Sequence, residues 1–235
     1  MPHPFFFSEE ISLSESYISL NEETSKHIVH VLRMKIGEEL LLTDGRGNLL
    51  TCKISDAHKK KCVVNVQESR HKVQVAKKIS IAISLLKNAN RFEWFLEKAT
   101  ELGIAEIIPA ICMRTEKQHF RYDRMKNILI SAMLQSQQVW LPSLREPMPV
   151  NEIILYAHQS QKFIAHCMDD AKVSFSDAIN TSTSSQIILI GPEGDFTKEE
   201  IDAAFQNHFV PVALGETRLR TETAGIVAAA ILALQ

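Results

Sequence analysis

The run Leu214-Gly215-Glu216-Thr217-Arg218-Leu219-Arg220-Thr221-Glu222-Thr223-Ala224 sets a glycine turn, two arginines and two glutamates at the mouth of a very apolar helix, Thr223 to Leu234. Packing alone rarely asks for such a mixture. Upstream lies a second strand-to-turn element, Ile187-Ile188-Leu189-Ile190-Gly191-Pro192-Glu193-Gly194, at a distance that accommodates one helix and one strand. A parallel sheet places loops of this kind at the carboxyl ends of its strands, where ligands of open α/β sheets bind.

Working outward, Thr197-Lys198-Glu199-Glu200 has the form of a capping box and opens a helix through Phe205, and Phe209 to Leu214 reads as a strand. Towards the N-terminus, Ile79 to Ile83 reads as a strand. Phe92, Phe95, Leu96, Ala99 and Leu102 recur at helical spacing before the stop at Gly103, and Ile104 to Ile111 forms the next strand. A second amphipathic helix is predicted from Asp123 to Val139, with Phe163 to His166 as a weak strand. Strand and helix in alternation imply a parallel sheet covered on both faces. Before residue 72 the cadence differs. A helix from Glu23 to Met34 precedes short runs, Leu40 to Leu42, Leu49 to Ile54 and Cys62 to Val66, separated by turns as in antiparallel hairpins. The expected organisation is a small β-rich domain, 1–72, followed by an α/β domain, 73–235.

Composition excludes several classes. With 45% hydrophobic and 23% charged residues among 235, the chain has the balance of a folded globular protein. No apolar run approaches the roughly 18 residues of a membrane span, and Met1 to Phe7 does not read as a secretory signal, so a cytoplasmic location is expected. Cys52, Cys62, Cys112 and Cys167 form no Cys-x-x-Cys pair, and His27 and His30 lack a third partner, so no metal site is expected. The net charge of −2 gives no general attraction to nucleic acid. Between Lys53 and Lys78, however, Lys53, Lys59, Lys60, Lys61, Arg70, Lys72, Lys77 and Lys78 face only Asp56 and Glu68, a patch that reads either as a phosphate contact or as a solvated hairpin and linker.

Neither C-terminal loop is a phosphate cradle, because the chain lacks both Gly-x-Gly-x-x-Gly and Gly-x-x-x-x-Gly-Lys-Ser/Thr. Gly191 and Gly194 permit close backbone approach or positive φ, and Pro192 stiffens a turn that could present backbone groups to a flat heterocycle. The same loop also reads as a plain strand-to-helix turn. Arg220 and Glu222 offer a fixed cation and a carboxylate at a helix start, or a salt bridge there.

The Gly-Pro-Glu-Gly loop, the Leu-Gly…Leu-Arg-Thr-Glu-Thr-Ala segment, the Arg91 to Gly103 helix and His30-Val31-Leu32-Arg33 together resemble the RsmE family of 16S ribosomal RNA (uracil-N3)-methyltransferases, in the SPOUT superfamily. The resemblance covers nearly the whole chain. It implies an N-terminal PUA-like β-barrel, a C-terminal SPOUT domain with a trefoil knot, S-adenosylmethionine as methyl donor, 16S rRNA or the small ribosomal subunit as substrate, and a homodimer. Carried over residue by residue, it implies a cofactor pocket of Ile190, Gly191, Glu193, Gly194, Leu214, Gly215, Leu219, Arg220, Thr221 and Thr223. Arg220, Glu222 and Glu193 become the catalytic candidates, and Arg33, Arg91, Arg114, Lys59, Lys60 and Lys61 the RNA contacts. Two departures stand out. Asp195 takes the last position of the family's usual Gly-Pro-Glu-Gly-Gly loop, and Gln138 and Trp140 stand where arginines are usual; Trp140 is either a base-stacking or a packed aromatic. The alternatives are a SPOUT enzyme acting on tRNA and a non-catalytic RNA-binding protein of the same fold.

Overall fold

The computed structural model describes residues 3–74, 78–169 and 171–235. Lys77, one of the eight cations of the basic stretch, lies outside them. The chain divides into two compact units, residues 1–74 with 133–141, and residues 75–132 with 142–235.

The first unit contains β1 (Phe5–Phe7), β2 (Tyr17–Ser19), α1 (Glu22–Lys26), β3 (Glu39–Thr43), β4 (Asn48–Asp56) and β5 (Val63–His71). Its five strands run in the order β1-β3-β4-β5-β2, antiparallel except for the β1–β3 pair. The sheet curls around Phe6, Ile18, Leu40, Leu42, Leu50, Ile54 and Val64, with Ile28 closing the core. The helix predicted from Glu23 to Met34 changes character: after Lys26 the segment His27–Val31 is a π-helix, and Arg33 at φ 54° ends it. A π-turn widens the spiral, and a non-glycine residue at positive φ breaks it.

The second unit begins with β6 (Lys78–Ser84), α2 (Ala89–Glu101), β7 (Glu106–Ile111) and α3 (Tyr122–Gln135), whose last three residues belong to the first unit. It continues with β8 (Ser143–Leu144), β9 (Met148–Pro149), α4 (Val150–Tyr156), β10 (Gln161–Ala165), β11 (Val173–Ser174) and α5 (Phe175–Ala178). It ends with β12 (Ser185–Ile190), α6 (Lys198–Gln206), β13 (Val210–Ala213) and α7 (Thr221–Ala233). The sheet order is β11-β13-β10-β12-β6-β7-β8, with β9 also on β7, and every pairing is parallel. Ala82, Ile164, Ile187 and Leu189 form one core with Val150, Ile153 and Ile154 of α4 and Ile201 and Ala204 of α6. On the opposite face α7 lies so close to α2 and β6 that a Cβ on Gly225 would stand 2.7 Å from Phe95 Cε2 and 2.9 Å from Ile83 Cδ1. Helices on both faces explain why β6 and β12 are buried almost along their whole length instead of on alternate residues.

The helix expected from Asp123 to Val139 stops at Gln135. Gln137 adopts φ 55°, Gln138 N donates to Met133 O at 2.9 Å and Gln137 N to Leu134 O at 3.1 Å, which is the bonding of a Schellman closure made with glutamine in place of glycine.

Candidate active site

The strand order puts β10 between β12 and β13, so the two motif loops do not leave adjacent strands. The weak Phe163-to-His166 signal belongs to the middle strand of the site, and the residues just past its end fill the gap between the loops. Two cavities open there. One, of about 280 Å³, is lined by Ala165 at the end of β10 and Cys167 beyond it, Ile190 at the end of β12 with Gly191 to Glu193 and Asp195 beyond it, and Arg218 to Thr221 before and in α7. The other, of about 390 Å³, shares Ala165, Cys167, Arg218 and Leu219 and adds Leu214, Gly215, His166 and Lys172. Both lie beyond the carboxyl ends of β13, β10 and β12, where the geometry of an open parallel sheet leaves a crevice.

Most of the sequence-predicted cofactor residues meet here. Ile190, Gly191, Glu193, Leu219, Arg220 and Thr221 line the first cavity, and Leu214, Gly215 and Leu219 the second. Gly194 and Thr223 line neither. The glycines act by different means. Gly191 needs its missing side chain because a Cβ would come within 3.0 Å of the Phe196 ring, whereas Gly194 has ordinary space beside Arg114. Gly215 combines φ 148° with nothing within 4 Å of a Cβ, a backbone wall facing open space. The positive φ of the first loop belongs instead to Asp195, at 64°.

Three interactions set the loop between β12 and α6. The capping box at Thr197 and Glu200 forms as the sequence predicts, with Thr197 N on Glu200 Oε2 at 2.8 Å. Glu200, buried, uses its other oxygen to accept from Met113 N at 2.8 Å, fastening α6 to the end of β7. Arg114 then donates from Nη1 to Gly194 O at 2.8 Å and to Phe196 O at 3.3 Å. This guanidinium, an RNA candidate by sequence, is spent in the structure on bracing the loop. Lys87 pairs with Glu116 at 2.7 Å and also senses Glu193, and both carboxylates, Glu116 foremost, hold its ammonium pKa up.

Arg220 is the N-cap residue of α7, and its exposed guanidinium, which has no acceptor with which to cap the helix, stands in the cavity wall next to the positive end of the helix. Glu222 points elsewhere. It is 7% exposed, its Oε1 lies 3.6 Å from Arg91 Nε on α2, and its Oε2 has no hydrogen-bond partner among the described residues. The other RNA candidates are in the first unit: Arg33 is exposed after the π-turn, and Lys59, Lys60 and Lys61 are exposed at the β4–β5 turn. Trp140, in that unit too, is packed: its Nε1 donates to Lys72 O at 2.9 Å and its ring meets His71 edge-on. His27 is edge-on to Phe6, and the described residues contain no group of three or more metal-ligating side chains.

Sequence reasoning missed Cys167, Asp195 and Arg218 as wall residues. Arg218 lies inside the quoted run, but Cys167 follows a weak strand and carries no local signal.

A family model for an RNA methyltransferase domain matches residues 73–233, and one for an RNA methyltransferase PUA domain matches residues 20–67. A solved structure from Porphyromonas gingivalis, described as a "probable rRNA-methyltransferase", superposes with TM-score 0.89 at 35% identity, covering 96% of this chain and 95% of that one. The ribosomal RNA small subunit methyltransferase E of Neisseria gonorrhoeae, solved bound to S-adenosyl methionine, superposes with TM-score 0.87 at 26% identity over 97% of this chain and 96% of its own. The protein of the same name from Rickettsia conorii is 28% identical over 222 residues, 89% of this chain and 87% of its own. With a model match over 73–233 and relatives aligned nearly end to end, proteins named ribosomal RNA small subunit methyltransferase E among those it resembles, the chain belongs to the RNA methyltransferase family.

Proposed function

We propose that this protein transfers a methyl group from S-adenosylmethionine to N3 of one uridine in the 16S rRNA of the small ribosomal subunit. The observation that carries the reading is the backbone-walled crevice beyond β13, β10 and β12, in a chain whose solved relatives include one bound to S-adenosyl methionine. The residues present suit that cofactor. Ile190, Leu214 and Leu219 supply apolar walls, Gly215 opens backbone to the cavity, and the carboxylate of Glu193 stands in a wall suited to a sulfonium. When bound, S-adenosylmethionine supplies an electrophilic methyl carbon. The remaining work is placement of the base and removal of the N3 proton.

Arg220, which has no side-chain hydrogen bond or ion pair among the described residues and lies next to the α7 N-terminus, stabilises the negative charge that develops on the uracil. Glu193, exposed in the same wall, orients the base or its proton acceptor. Glu222 acts at one remove, as a positioning residue that holds Arg91. Arg33 and Lys59 to Lys61 contact RNA phosphates, which fixes register without reading sequence. The resemblance further supports a PUA-like barrel in the first 72 residues, a trefoil knot in the SPOUT domain, a homodimer and a cytoplasmic site of action on the ribosomal subunit.

Mass spectrometry of 16S rRNA from cells with and without the gene tests the reaction: one 3-methyluridine disappears and returns on complementation. A tRNA modification lost instead refutes the substrate, and no calorimetric binding of S-adenosylmethionine refutes the enzyme. Arg220→Ala is expected to lower the single-turnover rate by about 10²- to 10³-fold, the usual cost of one oxyanion donor. An unchanged rate removes the role.

A further inference from the structure

We propose that Asp195 is a positioning residue that seals the floor of the cofactor crevice: one carboxylate oxygen ties the segment after β10 to the loop after β12, and the other anchors the side chain to its own loop. The inference rests on the reading of this crevice as the methyl-donor site.

The parallel pairing of β10 with β12 ends at Ala165 opposite Ile190. Beyond that register the two chains part, one towards His166 and Cys167 and the other into Gly191-Pro192-Glu193, and both line the first cavity. Asp195 spans the divergence. Its Oδ2 accepts from Cys167 N at 2.8 Å and its Oδ1 from Phe196 N at 2.9 Å. The backbone at φ 64° and the bond from Asp195 N to Pro192 O at 2.9 Å turn the side chain back across the gap. Few residues tolerate this φ, and aspartate is one of them.

On its other flank the loop is held by Arg114, which donates to the carbonyls of Gly194 and Phe196, immediately before and after Asp195. Arg114 in turn follows Met113, whose amide is held by Glu200. The carboxyl ends of β7, β12 and β10 are thus linked in series by three side chains, and only the Asp195 link lies in the cavity wall itself. A glycine at this position supplies the φ and no acceptor. An asparagine supplies the φ but one acceptor, leaving its amino group facing an N–H. Only aspartate satisfies both donors, so the side chain is matched to this crevice beyond the demands of a turn.

Asp195→Gly and Asp195→Asn test the proposal in the full-length protein, with calorimetric Kd for S-adenosylmethionine, KM for 16S rRNA fragments, melting temperature and hydrogen exchange of the Cys167 amide. Asp195→Gly is expected to raise the cofactor Kd about tenfold, the ratio that one charge-assisted hydrogen bond supplies. The RNA KM stays within twofold, the melting temperature within a few degrees, and the Cys167 amide exchanges faster. Asp195→Asn falls between Asp195→Gly and the wild type. A Kd for Asp195→Gly within twofold of wild type overturns the proposal, as does a rise of RNA KM in parallel with cofactor Kd. Wild-type protein that binds no S-adenosylmethionine sinks the functional reading itself, an outcome seen before any variant is compared.

Discussion

Replacing Gly225 by alanine separates helix propensity from packing, because the two predict opposite signs. Gly225 lies in the first half of the 13-residue helix α7, where a glycine ordinarily costs about 0.5–1 kcal/mol relative to alanine. On propensity alone Gly225→Ala stabilises. The structure says otherwise: the added methyl would stand 2.7 Å from Phe95 Cε2, 2.9 Å from Phe95 Cδ2 and 2.9 Å from Ile83 Cδ1, against a comfortable carbon separation of about 3.5–4.0 Å. Neither neighbour has room to yield, since Phe95 and Ile83 are fully buried and Phe95 is backed by the Phe92 ring with centroids 6.0 Å apart. Overpacking of this kind costs about 1–3 kcal/mol. Setting it against the propensity gain leaves a net loss of up to about 2.5 kcal/mol, or up to roughly 10 °C in melting temperature for a unit of this size. Differential scanning calorimetry of Gly225→Ala, Phe95→Leu and the double variant measures it. The double variant should recover at least about 1 kcal/mol relative to the sum of the singles, because the smaller side chain frees the space the methyl needs. A Gly225→Ala protein that melts above wild type, or singles that simply add, refutes the argument that close approach of α7 to α2 requires glycine here.

Two further expectations concern thiols and acid. Cys167 is exposed in the crevice wall, whereas burial pushes the thiols of Cys52 and Cys62 up to about 11 and that of Cys112 up to about 12, so a maleimide at neutral pH should label Cys167 alone. Excess S-adenosylmethionine should slow that labelling, and an unchanged rate on peptide mapping would place the cofactor elsewhere. Glu93 receives Arg124 Nε at 2.6 Å and Nη2 at 2.8 Å, and this hydrogen-bonded guanidinium holds its carboxyl below the usual range. A depressed carboxylate contributes stability above its unfolded pKa of about 4.3 and loses it as pH falls through the lower folded value. Urea unfolding of Glu93→Gln should therefore show a deficit at pH 7 that closes in acid, and a pH-independent deficit would assign the effect to packing.

Most of the architecture was legible because the sheet is buried on both faces and its helices are amphipathic. Ile187 to Ile190 reads as a strand from a continuous apolar run and Ile79 to Ile83 from an apolar run broken only by Ser80, and the Phe92-Phe95-Leu96-Ala99 spacing fixed α2. Local signals failed where long-range geometry supplied the reason. The end of α3 at Gln135 depends on a glutamine at positive φ, a role that sequence reasoning gives to glycine. The two-residue strands β8, β9 and β11 are too short for any periodicity. In the first motif loop, the backbone freedom credited to Gly191 and Gly194 is exercised by Asp195, while Gly191 serves the Phe196 ring.

The site itself shows why motif reading stops short. The two motif loops gave most of the cavity residues because each carries its own turn chemistry, yet the element that completes the cavity, Ala165 to Cys167, is the end of a strand of only five residues that begins Gln-Lys, with the two residues beyond it. Its placement follows from sheet order alone: β10 pairs with β12 on one side and β13 on the other, so its end must emerge between the loops. The same order explains Arg114 and Asp195, whose partners lie 80 and 28 residues away in sequence. Each reads locally as a surface charge. Each becomes a structural bond because parallel strands deliver their carboxyl ends to one edge, where loops without regular pairing must find side chains to satisfy their backbone. In a fold of this kind, charged residues within a few positions of a strand's carboxyl end are therefore candidates for loop bracing as much as for ligand contact, and mutating them without measuring cofactor and RNA affinity separately would confuse the two.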